Sequence, residues 1–177
     1  MDIMEARSRR HDPQSLRIYA ASRVSIRPID QSDANDLSAL YLSLTPGSRR
    51  SRFLGTVGDQ AIRAMAQRLA REPGLVAVLD EAGPRDGALI GHLVLIPMGA
   101  DRAELAIVVA DAFQGRGIGT RLVRAAGGEA RRLGIRRIVA STFANNLRMR
   151  RLLLHAGWPV RRDAIDACVE EIELGVA

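Results

Sequence analysis

The chain has 177 residues, of which 47% are hydrophobic, and a formal net charge of +6. That length suits one domain around a single core; no apolar run approaches the ~20 residues that span a bilayer, and Met1 to Arg7 lack the apolar centre of a secretory signal. One cysteine, Cys168, and three scattered histidines, His11, His92 and His155, give neither an internal disulfide nor metal-ligand spacing, so a metal-free cytoplasmic protein is expected.

Residues 1–22 are polar, arginine-rich and without periodicity, and read as a flexible extension before a domain at 23–177. Val24 to Pro28 alternates apolar and polar residues, as a half-buried strand does. Ser32 and Asp33 are suited to cap a helix whose apolar face carries Leu37, Leu40, Tyr41 and Leu44. Thr45-Pro46-Gly47 ends that helix, and the basic stretch Ser48 to Gly55 has no decisive pattern. A second helix is expected over Asp59 to Arg71, with Ile62, Met65, Ala66 and Leu69 on one face.

Leu75 to Leu79 reads as a strand, Asp80 to Gly87 as a turn, and Leu89 to Ile96 as the next strand. A further strand runs from Ala103 to Val109; its continuous apolar end, Leu105 to Val109, predicts burial on both faces. A helix from Gly117 to Leu133 follows, ended by Gly134. Ile135 to Phe143 is a strand and Leu147 to His155 a helix closed by Gly157. Trp158–Arg161 and Cys168–Leu174 are the remaining strands, with Cys168 in the core. The order predicts an α/β fold: a mixed sheet with helices on both faces.

All 26 basic residues are arginine. Genome composition accounts for this, and a lysine-modifying enzyme without lysine is also protected from modifying itself. The positive charge fits either nucleic acid or a polyanionic cofactor. Few aromatics to stack bases and no nucleic-acid motif favour the cofactor.

The strongest signal is Val109-Ala110-Asp111-Ala112-Phe113-Gln114-Gly115-Arg116-Gly117-Ile118-Gly119-Thr120, a strand end, a glycine-rich turn and a helix start. First-turn amides lack intrahelical partners, and the helix dipole adds positive potential there, so an anion is favoured. Gly115, Gly117 and Gly119 let phosphate approach the backbone; Arg116 and Thr120 offer further donors. A dinucleotide fingerprint needs Gly-x-Gly-x-x-Gly early in the chain, and a nucleoside-triphosphate loop needs lysine. Both fail here.

Gln114 to Gly119 resembles the Gln/Arg-x-x-Gly-x-Gly/Ala motif of the GNAT superfamily of N-acetyltransferases, and Asn146-x-x-Met149-x-x-Leu152-x-x-x-x-Gly157-Trp158 resembles that family's next helix. The likeness covers residues 23–177 in element order. It implies the GNAT acyl-CoA N-acyltransferase fold, with acetyl-CoA as co-substrate and no metal. The pyrophosphate would sit on Gln114, Gly115, Arg116, Gly117, Gly119 and Thr120. The pantetheine arm would lie along Ile107, Val108 and Val109 and beside Asn146, which is also a candidate helix N-cap. Leu44-Thr45-Pro46-Gly47-Ser48-Arg49-Arg50-Ser51-Arg52-Phe53 is similar to a segment of bacterial protein lysine acetyltransferases, which implies a protein lysine acceptor, with an acyl-CoA ligase as a target by analogy.

Acetyl transfer requires an ammonium, of reference pKa about 10.4, to lose its proton. Glu104, near the start of the cofactor strand, matches the family's base position, and His92 on the neighbouring strand is the alternative. The Val108 N–H is placed to polarise the thioester carbonyl. The slot where many relatives carry an acidic tyrosine falls on Leu153, which has no proton to give. A small-amine acetyltransferase and a non-catalytic acyl-CoA sensor are the competing readings.

Overall fold

The computed structural model describes residues 23–80, 87–166 and 168–176. The extension expected over 1–22, and most of the Asp80–Gly87 turn, lie outside the described residues. Seven strands form one sheet in the order β1-β2-β3-β4-β5-β7-β6: β1 Arg23–Pro28, β2 Gly74–Asp80, β3 Leu89–Pro97, β4 Arg102–Val109, β5 Arg137–Phe143, β6 Val160–Asp166 and β7 Val169–Gly175. Only β4 and β5 run parallel; every other pair is antiparallel. The mixed α/β sheet read from the sequence is the one observed.

Helices cover both faces. On one lie α4 (Ile118–Arg132) and α5 (Leu147–Leu154). Leu122, Val123, Ala126 and Leu153 are fully enclosed there, against Leu93, Ile138 and Ile172 of the sheet. On the other lie α1 (Ala34–Ser43) and α3 (Asp59–Leu69), whose Leu37, Tyr41, Ile62 and Ala66 close over Val76, Val78 and Val94. Each large aliphatic side chain so enclosed contributes about 1.5–3 kcal/mol, which fixes the register of the helices on the sheet.

The basic stretch after α1 is itself a helix, α2 (Pro46–Phe53). Thr45 caps it by accepting from the Ser48 amide at 3.3 Å, and Pro46 opens the first turn, where a missing N–H costs nothing. None of its residues is fully buried. Its exposed, arginine-rich surface hid the helical period from the sequence pattern.

Four expectations need correction. The side-chain cap of the turn into α1 comes from Asp30, which accepts from the Ser32 amide, and not from Ser32. Asp33 stands at the N-cap of α1 but makes no capping bond to it: its carboxylate accepts from the Asp30 amide at 2.8 Å, completing a capping box, and from Arg27 through two bonds of 2.7 Å. The second-last strand runs over Val160–Asp166, later than the predicted Trp158–Arg161. Cys168 is exposed between β6 and β7 and is no core residue. The apolar end of β4 is not covered on both faces: Ala106, Ile107 and Val109 are half-buried. The cause is a parting of the sheet. β4 and β5 pair only at Arg102–Arg137, Ala103–Ile138 and Glu104–Val139, yet both strands continue beyond those rungs. β4 stays with β3 to Val109 and β5 with β7 to Phe143, so a cleft opens between them. Among the described residues no helix is long and apolar enough to cross a membrane.

Candidate active site

The parting of β4 from β5 produces a cleft of about 530 Å³. Leu105 to Val109 form one wall and Ser141 and Thr142 of β5 the other. The turn into α4 closes one end, while Asn146, Met149 and Leu152 of α5 and Gly47, Ser48, Ser51 and Arg52 of α2 line its sides. Beyond Glu104 the β5-facing backbone of β4 has no strand partner, so its polar groups remain for a ligand.

The three glycines of the turn do different things. Gly115 and Gly117 have φ of 76° and 78°, and a Cβ on either meets nothing within 4 Å. Left-handed backbone and open space together make them the places where phosphate can come close. Gly117 is the N-cap of α4 and has no side-chain capping bond, so the first-turn amides stay available. Gly119 is different. A Cβ there would stand 3.3 Å from Leu152 Cδ2, so this glycine lets α5 pack on α4.

Of the other residues expected at the cofactor, Thr120 and Asn146 line the cleft, and Asn146 also caps α5 by accepting from the Met149 amide at 3.1 Å. Ile107, Val108 and Val109 line it from β4; the amides of Ile107 and Val109 face it, whereas that of Val108, expected to polarise the thioester, points at β3 and pairs with His92, in step with the Ala110 amide on the Ile90 carbonyl. Gln114 lines it too, but its side chain is engaged as a brace: Nε2 donates to the Val109 carbonyl at 3.0 Å and to Ser48 Oγ at 3.3 Å, and Oε1 accepts from Arg148. Arg116 is exposed and lies over the Phe113 ring, with Cζ 5.4 Å from its centroid. It does not line the cleft.

Asp111 connects this turn to α2, accepting from Ser48 Oγ at 2.6 Å and from the Thr45 amide and hydroxyl at 2.9 Å each. Burial pushes the Asp111 carboxyl up, but these bonds outweigh it and hold the group below its ordinary value. The sequence reading did not single out Asp111, Ser48 or Arg148; each acts through a contact between segments distant in the chain.

Glu104 occupies the last paired rung before the parting, one residue beyond the Leu105 end of the cleft lining. It is half-buried and, among the described residues, its carboxylate makes no hydrogen bond or ion pair. Across β5 its rung continues to Glu173, with Glu171 two residues before it on the same face. Arg102 Nη2 stands 3.7 Å from each of those two carboxylates.

His92 is fully buried, and its Nδ1 meets the Tyr41 hydroxyl at 2.7 Å. Burial, with Arg52 nearby, lowers its pKa from 6.5 to about 3. Enclosed behind Tyr41 and absent from the cleft lining, it is a packing residue with no route to an amine. Leu153 is likewise wholly enclosed in the core.

Residues 41–158 match the model of the acetyltransferase (GNAT) family. The chain is 28% identical over 149 residues to acetyltransferase PA5475 of Pseudomonas aeruginosa, covering 81% of this chain and 79% of that protein. Its fold is similar to that of the GNAT domain of S. lividans PAT, with TM-score 0.71 and 24% identity over 89% of this chain and 97% of that one. It is also similar in fold to spermidine N-acetyltransferase from Vibrio cholerae, solved with CoA and spermine, with TM-score 0.66 and 15% identity over 86% and 95% of the two chains.

Proposed function

The chain belongs to the acetyltransferase (GNAT) family and is an acetyl-CoA-dependent N-acetyltransferase; from that premise we propose that its acceptor is a lysine side chain presented by another protein, and that Glu104 is the base. The observation that carries this reading is the position of Glu104. It lies outside the enclosed part of the cleft, on a sheet face where Glu171 is also solvent-accessible. A base at an open mouth is accessible to a side chain carried on a large partner. The residues of the turn fit the co-substrate: Gly115 and Gly117 leave open, amide-lined space of the kind a pyrophosphate occupies.

Acetyl-CoA supplies the acetyl group and a thiolate leaving group. Ile107 and Val109 offer unpaired, cleft-facing backbone along β4 to hold the pantetheine arm, with the Val108 stretch as wall and Asn146 opposite. Gly115, Gly117 and the first turn of α4 hold the pyrophosphate, with Thr120 beside them; Gln114 braces the turn from within the cleft, and Arg116 lies outside it. Glu104 takes the ammonium proton, directly or through one water. The oxygen that becomes negative as the carbonyl turns tetrahedral is met by a cleft-facing amide of β4, that of Ile107 or Val109, since the Val108 N–H is spent on β3. A free thiol has a pKa of about 8.5, so the leaving group needs no dedicated acid, in keeping with Leu153 at the slot where relatives place one.

Incubation of the enzyme with acetyl-CoA and a cell lysate tests the acceptor. Mass spectrometry should find a narrow set of enzyme-dependent lysine sites, an acyl-CoA ligase being the first target to inspect. The enzyme, having no lysine, should gain at most an N-terminal acetyl group. Transfer to polyamines alone, with no enzyme-dependent lysine site, would exclude the protein acceptor.

A further inference from the structure

We propose that Arg52 reads the acceptor, and that the molecule whose amine this enzyme acetylates also carries a carboxylate, held across the mouth from that amine. The carboxylate belongs to an acidic residue flanking the target lysine, or to the acceptor itself if that is free lysine acetylated on its side-chain amine. The inference rests on the acetyltransferase reading and narrows its substrate class.

Arg52 lines the cleft from α2, and its guanidinium is fixed from behind. Nη2 donates to the Tyr41 hydroxyl at 3.1 Å, while Cζ lies 5.4 Å from the Tyr41 ring and 5.2 Å from the Phe53 ring. An arginine only donates, and a phenol has one proton. The Tyr41 proton therefore goes to His92 Nδ1, the ring nitrogen left bare in a neutral imidazole. Tyr41 and His92 are both fully buried, so the group is held by rings that cannot shift without opening the core. Such preorganisation lowers the ordering cost of binding.

What the guanidinium lacks is a counter-charge. Arg27, Arg49, Arg137 and Arg150 each have a carboxylate within 2.9 Å. Arg52 has none among the described residues, and its Nε is buried without any partner. A half-buried cation kept unpaired is costly unless something arrives to meet it, and Nη1 is the donor left free. Guanidinium and carboxylate are matched in geometry and charge.

The co-substrate phosphates are not the obvious partner. Ser48, at the start of α2, touches Gln114 of the phosphate turn, and Arg52 stands one helical turn, about 6 Å, further on. It lies over the His92–Val108 rung, on the sheet face that also carries Glu104. From Val108 to Glu104 is four residues, about 13 Å of strand. The mouth is thus dipolar. Glu104 is the unpaired carboxylate at one side, with Glu171 and Glu173 beyond it shared by Arg102; Arg52 is at the other, with Arg50 stacked 5.3 Å over Phe143 adding positive potential. An ammonium facing Glu104 with a carboxylate toward Arg52 satisfies both sides.

The test compares kcat/KM within two substrate pairs: a lysine peptide flanked by glutamate against the same peptide with glutamine, and free lysine against lysinamide, both acetylated on the side-chain amine. The carboxylate member should be preferred about tenfold or more, as a charge-assisted bond allows. A preference confined to one pair identifies the source. Arg52→Met should bring the ratio toward one, Arg52→Lys should restore part of it, and the exposed control Arg63→Gln should keep it. Equal rates for the wild type within both pairs would overturn the proposal without any variant. So would an Arg52→Met enzyme that keeps the preference, or one altered only in its KM for acetyl-CoA. Absence of transfer to every amine would instead defeat the acetyl-transfer reading, and this inference with it.

Discussion

The Asp111 carboxylate accepts a hydrogen bond from the Ser48 hydroxyl at 2.6 Å, joining α2 on the side of the cleft to the glycine-rich turn at its end. Sixty-three residues of chain separate the two, so the bond fixes a relation that neither segment fixes alone. Asp111→Asn should lower stability by about 1 kcal/mol or less, since the site is partly exposed. It should also raise the acceptor KM more than the acetyl-CoA KM. The folded-state pKa is depressed, so this contribution is full above the ordinary carboxylate range and is lost as pH falls through the folded value. Urea denaturation near neutral pH and steady-state kinetics check both parts.

The glycines of the turn separate by experiment. Gly117→Ala places a Cβ on backbone of φ 78° and into the open phosphate space, a conformation that costs about 1–2 kcal/mol. Its acetyl-CoA dissociation constant should rise about tenfold or more. Gly119→Ala meets only the end of Leu152 and should stay within about threefold. Calorimetric titration gives both constants; equal losses would mean that phosphate does not discriminate between the two positions.

His92 makes the fold acid-sensitive. Its pKa drops from 6.5 to about 3 on folding, so between those values the unfolded chain binds a proton that the native one refuses. Stability is full above the upper value and falls by about 1.4 kcal/mol per pH unit below it. From about pH 7.5 to about pH 5 the wild type should therefore lose ~2 kcal/mol more than His92→Leu. The variant itself should be weaker by about 1–3 kcal/mol near neutrality, because Tyr41 loses its partner. Guanidinium denaturation at the two pH values measures the difference, and identical losses would count against a buried neutral imidazole.

The glycine-rich turn, the alternation of strands and helices around it and the order of elements along the chain were readable because each rests on local pattern: a glycine spacing, a helical period, an apolar run. The place of Glu104 near the start of β4 was readable from its position before that turn. The parting of β4 from β5 was not. An apolar run such as Leu105 to Val109 looks the same whether it lies under a second layer or along a ligand cleft. Helix α2 was obscured because Pro46 and Gly47 mark a turn as readily as a first helical turn, and its arginines bury no stripe. The distinction of Gly119 from Gly117 depends on Leu152, and the arrangement at Arg52 depends on Tyr41 and His92, contacts of long sequence separation. Cys168 was misplaced because a small apolar residue beside a strand reads as core when the turn position is unknown.

The central claim is that the parted strands bind acetyl-CoA and that Glu104, at the last shared rung, removes the amine proton. Glu104→Gln keeps the shape of the side chain and removes its basicity. The most direct measurement is kcat/KM for lysine acetylation near neutral pH, paired with calorimetric titration of acetyl-CoA. The account predicts a fall of about 10²–10⁴-fold in kcat/KM with the acetyl-CoA dissociation constant changed by no more than about threefold. Turnover close to that of the wild type would contradict it.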